Sequence, residues 1–355
     1  VVRNCTLVGS GSTNTFGVVR FDGTNNGIGN TDNVVTDNVI GDTSGTLRAN
    51  SGVTMIGTST APNMRNRVIG NEIVNPGRGS GVAYGLYMGS NNADVVFADN
   101  EIHCTRLTGT ENLHPLYGIY VTDGANHNDT IARNRIHSLD VLNPVASRYG
   151  VYISTQGTSP VHLISNMISL SSDSGLLCGI YTTEPDSIYM IGNSIYLGGP
   201  IATGAQTLGI ASTTKGRLWI HDNIVVVERT GLSRGTSACL STSTTPFAAT
   251  IDRNVYVNPS DSGLLVIQGL SRYNNVLTWS AASGFDIHSI TGPVPFLDPS
   301  IGDLHVDPVP LFCGEGMGTP SNAEPDIDYE TRDDANPDIG ADEGDFNGGR
   351  LRLLA

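Results

Sequence analysis

The chain has 355 residues, long for one globular core but ordinary for a single elongated repeat domain. Gly supplies 43 residues, charged residues only 15%, and the net charge of −15 stands against a single lysine, Lys215. That composition suits a turn-rich extracellular β protein, and so acidic a surface disfavours nucleic acid and membrane insertion.

The chain opens at Val1-Val2-Arg3-Asn4, inside an apolar strand–Asn–apolar strand corner. No signal peptide, initiator Met or transmembrane run stands at this start, so the expectation is that further chain precedes Val1 and that its first coil is covered by an upstream segment or by another copy stacked head to tail. The same corner recurs at Asn38, Asn71, Asn100, Asn134, Asn166, Asn193, Asn223 and Asn254, with intervals between 27 and 34 and a mean of about 31 residues. A period of this size marks a repeat whose units bury their apolar faces only by stacking. Residues 1–83 carry the least regular copies, and Thr24 to Asn33 is a polar turn within them.

From Tyr84 to Leu197 the repeat is cleanest, and a second line runs in phase with the first. It reads Tyr84-Gly85-Leu86-Tyr87-Met88, Tyr117-Gly118-Ile119-Tyr120-Val121, Tyr149-Gly150-Val151-Tyr152-Ile153 and Cys178-Gly179-Ile180-Tyr181-Thr182. Period-2 alternation with β-branched and aromatic residues predicts strands throughout. Each unit is a Tyr-Gly strand, a polar turn, a strand, an Asn corner and a third strand. A one-residue corner needs a left-handed backbone, which Asn tolerates, and asparagines stacked there can bond along the axis. Asn71, Asn100, Asn134, Asn166 and Asn193 are therefore the expected structural ladder.

Beyond Asn254 the pattern changes. Arg272 to Phe285 has helical spacing, with Val276, Leu277, Trp279 and Ala282 as contacts, and reads as a cap on the last coil. The reading is an all-β right-handed parallel β-helix of about nine coils over residues 1–270, with a short capping helix and an irregular acidic tail over 271–355 packed on it.

The Asn corner, the three-strand coil and the loops before each Tyr-Gly strand resemble the pectate-lyase-like right-handed parallel β-helix proteins over roughly residues 1 to 270. The tail, with Asp326-Ile327-Asp328-Tyr329-Glu330-Thr331-Arg332 and Pro337-Asp338-Ile339-Gly340-Ala341-Asp342-Glu343, is similar to the C-terminal segment of secreted bacterial β-helix surface proteins. Tyr329 stands where that segment usually has Gly. The resemblance implies the fold and a secreted or cell-surface location, and leaves activity open among lyases, hydrolases, adhesins and fibres.

Parity places Leu86 and Met88 on one face of their strand and Gly85 with Tyr87 on the other, so Tyr87, Tyr120, Tyr152 and Tyr181 should form an outer ladder that binds a glycan or a protein. For catalysis the candidates are Asp123 and Glu184, two coils apart, and His127 beside Asp123. A lyase would want Lys or Arg beside the sugar carboxylate; one Lys, and no Arg on the cleanest Tyr-Gly strands, does not supply that arrangement. His103 and His137, each three residues after its corner Asn, should stack as a surface pair. Asp326, Asp328 and Glu330 are the acidic candidates for Ca2+, in a tail otherwise read as solvated; no cofactor is called for. The five cysteines (Cys5, Cys104, Cys178, Cys239, Cys313) show no metal spacing and read as small hydrophobes, at least one of them unpaired.

Together these features describe a secreted, rigid scaffold, structural and filament-forming or glycan-binding, whose partner is a polysaccharide or a second copy of the chain. The rival reading is a polysaccharide lyase or glycoside hydrolase acting along the Tyr-Gly face.

Overall fold

A computed structural model describes residues 1–10, 17–24, 27–44, 48–77, 81–104, 114–122, 128–139, 146–154, 160–172, 175–183, 187–200, 205–213, 216–230, 235–243, 248–260, 263–320 and 324–346. The chain is an all-β parallel solenoid, consistent with the right-handed β-helix expected, and among the described residues it carries one α-helix. Three sheets run its length. The strand before the Asn corner and the strand after it each form a nine-stranded sheet, and the Tyr-Gly strands form a ten-stranded one. Every pairing between neighbouring coils is parallel; the tenth strand, Ser271–Tyr273, turns back antiparallel on Leu264–Gln268 and closes the last coil.

Regular turns number about seven rather than nine. In the first two rounds the strands flanking the corner shrink to two or three residues, as at Val2–Arg3, Thr6–Leu7, Val34–Thr36 and Val39–Ile40. Polar runs there leave too few apolar positions to extend them. From Glu72–Val74 onward the third strand lengthens, reaching Ile224–Thr230.

The core is built of like residues in register. Ile73, Ile102, Ile136, Ile168 and Ile195 align along the post-corner sheet, and Leu86, Ile119, Val151, Ile180 and Ile210 along the Tyr-Gly sheet, all fully buried. Each added coil therefore removes a whole apolar layer from water, which is the driving force of the stack.

The corner departs from expectation in one respect. The left-handed residue is the one before the ladder Asn: Asp37, Gly70, Asp99, Arg133, Ser165, Gly192, Asp222 and Arg253 have φ between 51° and 66°. The Asn that follows points inward. Its Oδ1 takes the N–H and Nδ2–H of the Asn one coil earlier, as in Asn100 N to Asn134 Oδ1 at 3.1 Å and Asn100 Nδ2 to Asn134 Oδ1 at 3.0 Å. The chain of amides runs unbroken from Asn38 through Asn71, Asn100, Asn134, Asn166, Asn193 and Asn223 to Asn254. Asn4 sits one position earlier, in the left-handed place at φ 54°, and Cys5 takes the place of the ladder Asn. A second, shorter ladder of Asn30, Asn63 and Asn92 supports the early coils.

The ladder ends on Asp286, which is buried and accepts from Asn254 Nδ2, Trp279 Nε1, Tyr256 Oη and Ser289 Oγ. Trp279 belongs to helix α1, Val276–Ser283, capped at its start by the Asn275 side chain. Val276 and Trp279 are buried against the last coil, whereas Leu277 is 77% exposed and Ala282 is also exposed, because in eight residues only one turn of spacing reaches the core.

Candidate functional site

The Tyr-Gly sheet carries two tyrosine rows on its outer face. Tyr87, Tyr120, Tyr152 and Tyr181 stack with ring centroids 5.8, 5.0 and 5.0 Å apart. Tyr84, Tyr117 and Tyr149 form a second row at 5.5 and 4.8 Å, and the rows touch at 4.8 Å between Tyr84 and Tyr87. The second row was hidden by the assumption of strict alternation. A Cβ on Gly85 would lie 2.4 Å from Cγ2 of the core residue Ile102, so Gly85 faces inward with Leu86 and not outward with Tyr87. Gly118, Gly150 and Gly179 stand in the same relation to Ile136, Ile168 and Ile195. The strand bends at this glycine, which puts tyrosines on both sides of it outward.

Stacking decides what the rows offer. With interplanar angles of 23°, 28° and 18° along the first row, inner rings cover one another's faces and present edges and hydroxyls instead. Tyr87, Tyr120, Tyr152 and Tyr181 are half-buried. Burial, and in smaller part the neighbouring phenols, raises the titration points of Tyr84, Tyr117, Tyr149, Tyr120 and Tyr181, so these hydroxyls stay protonated and can both donate and accept. Further along, the same face becomes apolar, with Cys178, Leu208, Ala211 and Ala238 buried together.

Asp123, His127 and Glu184 lie outside the described residues. Arg148 does open a Tyr-Gly strand, contrary to the expectation of none, but it is buried and its Nε donates to Leu139 O at 3.0 Å, away from the rows.

On the post-corner sheet His103 and His137 pair in register, rings 5.1 Å apart and 6° from parallel. Each Nε2 meets a glutamate of the preceding coil, His103 to Glu72 at 3.1 Å and His137 to Glu101 at 3.0 Å. The His137 hydrogen bond, with Arg135 adding its charge, holds the Glu101 carboxyl down at about 2 against the opposing effect of burial. The pre-corner sheet bears a third aromatic row unseen in the sequence, His162, Tyr189 and Trp219, stacked at 4.8 and 4.3 Å; its only signal was spacing at the repeat period.

The tail is ordered on the ridge of left-handed corner residues and meets it coil by coil. Tyr329 donates to Asp99 at 2.5 Å and lies under the Arg133 guanidinium at 4.3 Å. Ser165 donates to Pro325 O, Asp222 accepts from Thr319 N at 2.9 Å and Arg253 donates to Met317 O. Arg332 is buried and donates to Gly340 O at 2.7 Å. Of the three expected cation ligands, Asp326 is turned inward and accepts N–H groups of Asp328, Glu330 and Glu343, and Glu330 is exposed. Asp328 joins His305 and Asp342 in a group whose donor atoms lie within 4.8 Å of one another. The His305 ring is held between Asp303 at 2.5 Å and Asp328 at 2.9 Å, an internal ion network in its own right.

No protein-family model, curated protein or solved structure matches the chain. The class is therefore set by the fold alone: a parallel β-solenoid.

Proposed function

We propose that the chain is an extracellular scaffold that binds an extended glycan along the Tyr-Gly face. The observation that supports this reading is the double tyrosine row, seven phenols on one outer face at the spacing of the coils. A rigid array of hydroxyl edges suits a linear polymer with its own repeat of hydroxyl groups. The acidic surface favours a neutral polymer over a polyuronate.

The sharp test keeps the stack and removes the edge. Tyr120→Phe with Tyr152→Phe retains ring packing but deletes two hydroxyls. In affinity electrophoresis through gels containing neutral or acidic polysaccharides, the native chain should be retarded by a neutral polymer and the double variant much less so, at unchanged melting temperature. Absence of retardation by any polysaccharide, or equal retardation of the variant, would refute the reading.

A further inference from the structure

Between the tail and the outer face of the post-corner sheet lies a groove of about 430 Å3, a volume within the range of small-ligand sites. Its two walls are joined by hydrogen bonds from Ser169 Oγ to Pro299 O at 2.5 Å and from Ser138 Oγ to Ser300 O at 3.4 Å. We infer that this groove binds a single neutral sugar ring, independently of the Tyr-Gly face.

The floor is the pair Gly198 and Gly199. A Cβ on Gly198 would stand 2.6 Å from Cε1 of Tyr196, and one on Gly199, at φ 87°, would stand 2.7 Å from Ser171 Oγ. Side chains here would close the groove, so the backbone is left open beneath a ligand. One wall is the half-buried Tyr196 ring, fixed by its edge contact with Phe296 and by its hydroxyl on Glu228 at 3.1 Å. A flat apolar wall of this kind suits the C–H face of a pyranose.

The polar groups facing the ring position complete the argument. Ser171 is exposed at the rim. Asp298 uses Oδ1 to accept from Ser300 N at 3.0 Å and Ser300 Oγ at 2.5 Å, which leaves Oδ2 to accept from a ligand hydroxyl. Among the described residues, Asp298 is the one charged residue lining the groove. The nearby Arg229 is buried and its charge is engaged, Nη1 donating to Ser172 O at 2.6 Å and to Gly198 O; that nitrogen would stand 3.6 Å from a Cβ on Gly199. An acceptor carboxylate, a hydroxyl and a ring wall match a donor-rich, uncharged ligand. A uronate or a sugar phosphate would meet Asp298 with like charge.

The test is titration of the isotope-labelled chain with neutral hexoses, an N-acetylhexosamine, glucuronate and a hexose phosphate, read on the amide signals of Ser171, Gly198, Gly199 and Ser300. At least one neutral sugar should give saturable shifts in the millimolar range, confined to these amides, with the anionic sugars inert. Asp298→Asn keeps the Oδ1 cap of the turn and should weaken binding about tenfold. Ser171→Trp fills the groove and should abolish it, while Tyr120→Phe with Tyr152→Phe should leave it unchanged. Silence from every neutral sugar, survival of binding in Ser171→Trp, or equal binding of glucuronate would overturn the inference.

Discussion

The ladder Asn is the residue on which each coil depends. Asn134 is fully buried; its Oδ1 accepts two N–H groups from Asn100, and its Nδ2 donates to Phe97 O, Ala132 O and Asn166 Oδ1. Asn134→Ala would orphan several of these groups without water to replace it, at a cost of about 3–5 kcal/mol in equilibrium unfolding. A cost below about 1 kcal/mol would show that the ladder is ornamental. Tyr329 poses the opposite problem, a bulky residue at φ 67° where the turn suits Gly. The strain is offset by its hydroxyl on Asp99 and its ring under Arg133. Tyr329→Ala keeps the strain and loses the clasp, whereas Tyr329→Gly loses both. The Gly variant should therefore hold the tail better than the Ala variant by about 1 kcal/mol, measured by hydrogen exchange over 326–343. Equal protection in the two variants would show that the turn stores no strain.

At the scale of elements, the docked tail concentrates carboxyls whose ionised form is penalised. Burial pushes Asp338 up to about 7, and Asp342 and Asp222 up to about 6, despite the N–H groups each accepts. Nearby carboxylates, Asp303 first, also raise His305 against the effect of burial. All four bind protons more tightly docked than free: the contribution of the three carboxyls is fullest near pH 4 and is lost as pH rises through about 6 to 7, and that of His305 is full below its ordinary range and is lost only above it. Glu101 acts oppositely, but only below its ordinary range, as pH falls from 4.5 towards about 2. Exchange protection of residues 303–346, corrected for intrinsic rates, should thus be greater at about pH 5 than at about pH 8. Equal protection would mean that these carboxyls are not desolvated by docking. Little of this docking was legible beforehand. The strands, the Asn period and the first tyrosine row follow from local periodicity, which the sequence carries directly. The tail contacts pair residues as far apart as Asp99 and Tyr329, and no local pattern encodes them. The inward glycine escaped because a bend breaks the two-residue period, and with it went Tyr84, Tyr117 and Tyr149.

At the scale of the molecule, repeated coils turn small side-chain preferences into continuous surfaces. The aliphatic rows hold neighbouring coils at strand spacing, the amide ladder fixes the corner, and the tail ties the ridge from Asp99 to Arg253. The tyrosine rows inherit their spacing from that stack, which is why an extended polymer is the ligand proposed for the Tyr-Gly face. The most direct test of that claim is tyrosine nitration mapped by peptide mass, with and without the polysaccharide that retards the chain. The account predicts that Tyr87, Tyr120, Tyr152 and Tyr181 lose reactivity together on binding, while Tyr329, on the corner ridge beside Asp99, keeps its own. Unchanged reactivity along the row, or protection centred on Tyr329 or Tyr189 instead, would contradict it.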